Sequence, residues 1–281
     1  MHCAMIQAGE IQIIVGDAAR EGAGGRQYCG LWSLTSVHRV FNAFGNSFAG
    51  LIPGHLRGKG PVLEQPGERT CLLRHAACEA RPYEATAYYT ARAPHYIDHE
   101  LAIRWLHVER PLSMPYGEVC WNSYINCPED PRIHYLSGGG WHRYQSPSHG
   151  VASRIAPSWL SPQRREPMPD PRPGFLYDWY GAGFDEPFFY GRVGEMALVH
   201  VFDAPERLRF YLSPSGGGES LLPGSTCPAW DFLWIVPGAQ WEAGREYRFR
   251  MRLVYKRYEG DEDVLAEVRR AQDELGFAPR A

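Results

Sequence analysis

Five side chains able to move a proton or hold a hydrogen bond fall in the sixteen residues from 134 to 149: His134, Tyr135, His142, Tyr144 and His149. Histidine titrates nearest neutral pH, so this density points first to general acid/base work. The run includes LSGGGWHRYQSPSHG, Leu136 to Gly150, in which three glycines precede Trp141 and His142. Glycine lets a backbone turn sharply or approach a ligand closely. A phosphate cradle would need a strand before it, a helix after it and amides converging on that helix N-terminus. WHRYQSPSHG has no helical period, and a second run, LSPSGGG at Leu212 to Gly218, leads into the equally interrupted ESLLPGSTCPAW. Nucleotide binding through these loops is therefore not expected. The chain also has neither a GxSxG elbow nor an HExxH helix.

Other segments supply possible partners. DWYGAGFDEPFFYGR, Asp178 to Arg192, carries Asp185, Glu186, Tyr190 and Arg192. Carboxylates there can act as bases or hold hydroxyls, and Arg192 can orient one or bind an anion. PAWDFLW puts Trp230 beside Asp231 at a strand start, an aromatic platform next to a carboxylate. In GEVCWNSYINC, period two places Val119, Trp121 and Ile125 on one face and Glu118, Asn122, Tyr124 and Asn126 on the other. Amide and phenol groups both donate and accept, which suits sugar hydroxyls; the same row also fits a structural polar layer. The expected roles are proton transfer by His134 or His142 against Glu186. Asn122, Tyr124, Trp141, His149, Tyr190, Arg192, Trp230 and Asp231 are expected to bind the substrate.

No metal or cofactor is expected. His95 and His99 in HYIDHE share one strand face, but four strand residues span roughly 13 Å, too far for one ion. A metal-dependent use of His134, His142 and His149 is the alternative. Seven cysteines, an odd number, fit reduced thiols. The six-residue gaps of Cys71/Cys78 and Cys120/Cys127 are longer than structural zinc sites use.

The elements that must position these groups are mostly strands. Residues 9–17, 83–93, 95–110, 117–127, 188–203, 207–213, 230–237 and 245–258 are rich in aromatic and β-branched residues and bounded by turn formers. The spacing predicts an all-β antiparallel sandwich. One helix is expected at Asp261 to Gly276, opened by acids, striped by Val264, Leu265, Val268 and Leu275, and closed by glycine. RGKGPVLEQPGER, Arg57 to Arg69, and the proline-rich stretch from Pro157 to Gly174 read as surface loops. The strand pattern continues beyond the second, so residues 1–281 are expected to form a single domain. In Arg245 to Tyr258 the odd positions Tyr247, Phe249, Met251, Leu253 and Tyr255 are apolar, and Arg248, Arg250, Arg252 and Lys256 form a basic outer row.

Composition excludes several classes. At 44% hydrophobic and 22% charged residues the 281-residue chain is globular rather than disordered. A net charge of −3 with scattered basic residues leaves no footprint for nucleic acid. No window approaches the ~18 apolar residues of a membrane span, and the first residues do not read as a signal peptide, so a cytoplasmic protein is expected. Aromatics at 13%, including 9 Trp and 16 Tyr, favour a groove that stacks on rings.

GEVCWNSYINC, RIHYLSGGGWHRY, FFYGRVGEMALVHVFD and REYRFRMRLVYKRY together give the chain a pattern that resembles the galactose-mutarotase-like supersandwich of aldose epimerases and polysaccharide lyase β domains. The resemblance covers roughly half the chain and implies a sugar or oligosaccharide ligand. Epimerases of that family pair a histidine acid with a glutamate base on the concave sheet. It therefore implies acid/base chemistry at a sugar carbon, whether epimerisation, elimination or glycosidic cleavage. A non-catalytic sugar-binding sandwich is the other reading.

Overall fold

The structure is a computed structural model and describes residues 2–17, 28–45, 50–58, 60–107, 116–166, 178–214 and 227–277. Among these, β1 (Cys3–Ala8), β2 (Ile11–Gly16) and β3 (Gly30–Ser36) form a three-stranded antiparallel sheet. There follow β4 (Ile52–Pro53), β5 (Val62–Gly67), β6 (Thr70–His75), β7 (Tyr83–Arg92), β8 (Tyr96–Trp105) and β9 (Tyr116–Asn122). Next come β10 (Ile133–Ser137), β11 (Gly140–Tyr144), β12 (Arg154–Ile155), β13 (Phe188–Val193) and β14 (Met196–Phe202). The chain ends with β15 (Leu208–Ser213), β16 (Ala229–Pro237), β17 (Glu246–Arg257) and helix α1 (Asp261–Leu275). Nine strands run in the order β11-β10-β13-β14-β17-β8-β7-β6-β5, and five in the order β12-β15-β16-β9-β4. The protein is thus an all-β antiparallel sandwich with a C-terminal helix.

The inner faces are built by the alternation visible in the sequence. Tyr247, Phe249, Met251, Leu253 and Tyr255 of β17 are all buried, as are Val119 and Trp121 of β9. Aromatic contacts join the nine- and five-stranded sheets: Trp234 to Phe249 at 5.0 Å, Phe202 to Phe232 at 4.8 Å and Phe189 to Phe210 at 5.0 Å. Such pairs add about 0.5–1.5 kcal/mol each beyond the area they bury. The three-stranded sheet adds Ile6, Ile13, Val15 and Leu34 to the same core.

The outer face of the nine-stranded sheet carries α1, whose Val264, Val268 and Ala271 pack on Tyr96, Val199 and Val254. The basic row of β17 meets the acids of β8 across the register, Arg252 opposite Asp98 and Arg250 opposite Glu100. Arg252 binds Asp98 at 2.7 Å, and Lys256 reaches Asp263 of α1 at 2.7 Å.

Three expectations need correction. Val62 to Gly67, read as loop, is edge strand β5, which pairs with β6 through an irregular register. His95 lies in the turn before β8, bonded to Glu10 and close to Glu267, whereas His99 points into the core. They share no face because the strand begins only at Tyr96. The triple glycine is a hairpin turn. Ser137 pairs with Gly140, and Gly138 and Gly139 take φ of 63° and 80°, which left-handed geometry makes cheap only for glycine. Of the long loop at 157–174, residues 157–166 are described and the rest lie outside the described residues, as do Ser215 to Gly218 of the second glycine run.

Candidate functional site

The outer face of the five-stranded sheet buries charge deeply, with the Arg154 and Arg209 side chains each 3% exposed. Strands β15, β16 and β9 point Arg209, Tyr211, Asp231, Leu233, Cys120 and Asn122 to this side, since paired residues share a face and the core takes their neighbours. Ala229 to Val236 of β16 are buried without interruption, so this face is covered as well as the inner one. Arg209 is bonded to Glu166, both almost fully buried, and Arg154 of edge strand β12 bonds Glu118 of β9 at 2.8 Å with β15 and β16 between them.

Asp231 is 4% exposed. Its Oδ1 accepts the Ser123 amide N–H at 2.7 Å and its Oδ2 accepts the Asn122 amide at 3.4 Å. Burial pushes its carboxyl up to about 7, against the lowering effect of the Ser123 and Asn122 bonds and of Arg57 nearby. Tyr124 and Tyr28 meet edge to face at 5.8 Å, and the Arg57 guanidinium lies 4.5 Å over the Tyr28 ring. Tyr124 is driven upward too, by burial first and then by the Asp231 charge. Asn122, Tyr124 and Asp231, three of the residues singled out from sequence, therefore converge. His149 is exposed on the turn after β11 and its Nδ1 lies 3.0 Å from Ser213 Oγ at the end of β15.

A second constellation lies on the opposite side of the sandwich, where the outer face of the nine-stranded sheet meets the start of α1. A cavity of about 420 Å³ is lined by His134, Trp141, Arg143, Tyr190, Arg192 and Asp261, among others. Asp261 accepts hydroxyl bonds from Tyr190 and, at 2.8 Å, from Tyr258. The His134 ring packs on Tyr190 at 4.6 Å, and burial holds its imidazole below the usual histidine range, so it is neutral at pH 7. Burial also raises the Tyr190 phenol.

The remaining expected residues scatter. Opposite Tyr135 in the hairpin, His142 faces away from His134 and bonds the Tyr180 hydroxyl at 2.9 Å, so adjacent strands put the two histidines on opposite faces. The metal alternative using His134, His142 and His149 loses its geometry for this reason. Among the described residues no three His, Cys, Asp or Glu side chains are grouped to hold an ion. Glu186 is half-buried in the loop before β13 and is raised mainly by that burial. Trp230, expected as a platform, is fully buried between the sheets, with its indole N–H donated to Pro131 O at 2.9 Å, because its neighbour Asp231 takes the outer side. Sequence reasoning missed Arg209 and Arg154; alternation in RLRFYLS marks Arg209 as outward-facing. Tyr28 and Arg57 arrive from distant segments and carry no local signal.

The chain has the galactose-mutarotase-like supersandwich fold. It superimposes on the heparan sulfate lyase HepC of Pedobacter heparinus, in a mutant form, with TM-score 0.54 and 5% identity, over 92% of this chain and 36% of that one. A GalM/aldose epimerase homologue from C. elegans gives TM-score 0.50 and 8% identity, over 92% of this chain and 100% of that one. The chain thus spans about a third of the lyase and the whole of the epimerase homologue. No protein-family model matches the sequence, and no curated protein matches it. Among the described residues no helix is long and apolar enough to cross a membrane.

Proposed function

We propose that the protein is carbohydrate-active and that Asp231 is its acid/base group, acting at the outer face of the five-stranded sheet. One observation carries the reading. Arg154, Arg209, Glu166 and Asp231 on that face are buried, whereas most ion pairs on the nine-stranded sheet's outer face, such as Arg104–Glu84 at 46% and 44% exposure, are solvated. Each buried ion costs several kcal/mol that pairing only partly returns, so a face that keeps Arg154, Arg209, Glu166 and Asp231 is a functional candidate on physical grounds. Beneath α1 the other sheet has buried charges of its own, Arg252 with Asp98 and Lys256 with Glu267.

A carboxyl poised near 7 donates a proton in one state and accepts one in the other, which epimerisation, elimination and glycosidic cleavage all require. Asn122 and Tyr124 would orient hydroxyls beside it, and Arg57 would hold an oxygen that gains charge. The sugar chemistry named for both structural neighbours supports a saccharide as ligand.

The test is a panel of aldoses and oligosaccharides followed by anomer exchange, by new reducing ends and by the ultraviolet absorbance of a new double bond. Turnover in one assay should fall by about 10²–10⁴ in Asp231→Asn with affinity retained. Wild-type turnover that survives this substitution with its pH profile unchanged would sink the reading. The 2.7 Å bond that engages Oδ1 favours a second reading, in which Asp231 is structural and the face binds sugar without turnover. Saturable binding with no turnover across the panel would select it.

A further inference from the structure

The cavity beside α1 has a charge arrangement that the Asp231 face does not share. Its carboxylates are already engaged: Asp130 takes two bonds from Arg132 at 2.7 and 2.8 Å, and Asp261 takes the Tyr190 and Tyr258 hydroxyls. Glu129 stands exposed at the edge. Two exposed guanidinium groups line the same space, and among the described residues neither is in an ion pair with a carboxylate. Arg192 lies 4.7 Å over the Tyr258 ring, and Arg143 sits next to His134, opposite it in the β10–β11 register. Trp141 stands on the same face, propped edge to face by Tyr190 at 5.5 Å and Phe188 at 5.9 Å, and is only half-buried.

Two uncommitted arginines beside a braced indole suit a ligand with an anionic group attached to a ring that has an apolar face. A guanidinium fork matches carboxylate or phosphate oxygens with paired hydrogen bonds. Indole stacks on the C–H face of a pyranose, and neutral His134 can accept or donate to its hydroxyls. We propose that this cavity is an accessory site for an acidic sugar, with Arg143 and Arg192 gripping its anionic group and Trp141 stacking on its ring. At about 420 Å³ the space accommodates a single residue of this kind. The site is separated from Asp231 by the whole sandwich and does not depend on turnover there.

The experiment is calorimetric titration of the full chain with glucuronate, glucose 6-phosphate, inorganic phosphate and glucose. Saturable binding of glucuronate or glucose 6-phosphate is expected, at least tenfold tighter than glucose and weakening as salt rises. Whichever of the two binds tighter identifies the anionic group as carboxylate or phosphate. Arg143→Ala and Arg192→Ala should each weaken that binding at least tenfold, Arg143→Lys less so because it loses the fork. Trp141→Ala should weaken the sugar acids while leaving inorganic phosphate unaffected. Since Trp141 also packs on Phe188, Trp141→Phe and the melting temperature of each variant separate lost binding from lost folding. Equal affinity for glucose, or binding that survives both arginine substitutions, overturns the proposal. Phosphate binding as tightly as glucose 6-phosphate overturns the sugar half of it.

Discussion

The Asp231 carboxylate holds the amide N–H of Ser123, 108 residues earlier in the chain, at 2.7 Å where β9 ends. The bond fixes the break between β9 and the bridge that Tyr124 makes to Ala229, so one side chain sets both the local backbone and the chemistry of the face.

Its pH behaviour follows from burial. With a folded pKa near 7 against a carboxylate's ordinary 3.8, the protonated form is favoured in the native state. That contribution is complete below the ordinary value and is lost as pH rises through about 7. Asp231→Asn keeps a carbonyl oxygen for Ser123 and removes the titration. Urea midpoints measured at pH 5 and pH 8 should therefore fall further for the wild type than for the variant. Equal falls would show that Asp231 is not the group.

Buried and exposed ion pairs should respond differently to truncation. Arg209→Ala leaves Glu166 charged and enclosed, with an expected loss of about 3–5 kcal/mol in chemical denaturation. Arg104→Ala, removing a solvated pair with Glu84, should leave the denaturation midpoint nearly unchanged.

The glycine hairpin makes a sharper comparison within one turn. Gly139 has φ of 80° and donates its N–H to Asp185 at 2.9 Å. Although a Cβ there would meet nothing within 4 Å, Gly139→Ala should cost about 1–2 kcal/mol from the left-handed backbone alone. Gly140→Ala, equally uncrowded and outside that region, should change stability by no more than about 0.5 kcal/mol. Denaturant midpoints of the two variants decide it.

Helix α1 is clamped through Glu267. Burial would raise this carboxyl, but His95, the Tyr96 hydroxyl at 2.8 Å and Arg270 at 3.2 Å outweigh it and hold it at about 2, with Lys256 at 3.7 Å. A depressed acid stabilises above its ordinary value of 4.5, and that stability is lost as pH falls toward 2. The helix should therefore loosen over this range, seen as faster amide exchange at Val264 and Val268. Glu267→Gln should show the faster exchange already at neutral pH.

Strand faces were readable wherever one side meets the core. The odd residues of β17 and the Val119 and Trp121 side of β9 lie where alternation puts them, because a one-residue slip would expose every apolar group. Trp230 and Asp231 illustrate the limit. Adjacent residues in a strand must face opposite ways, so an aromatic platform beside a carboxylate was never available to this pair. His134 and His142 separate for a related reason: the tight turn between them sets a register that pairs His142 with Tyr135 and leaves His134 on the other face.

By itself the sequence determined the strand segments around β2, β7 to β9 and β13 to β17, the C-terminal helix, the alternating faces of β9 and β17 and the supersandwich pattern, since period and turn chemistry are local properties; β5 and the β10–β11 hairpin, read as loops, owe their pairing to partners elsewhere in the sheet. Only the tertiary structure decided which polar residues meet. Asp231 finds Ser123, Asn122 and Arg57, and Asp261 finds Tyr190, through strand order and register. The Asp231 carboxyl reaches about 7 because the covering of its sheet keeps water from it, and no neighbouring residue in the chain encodes that desolvation.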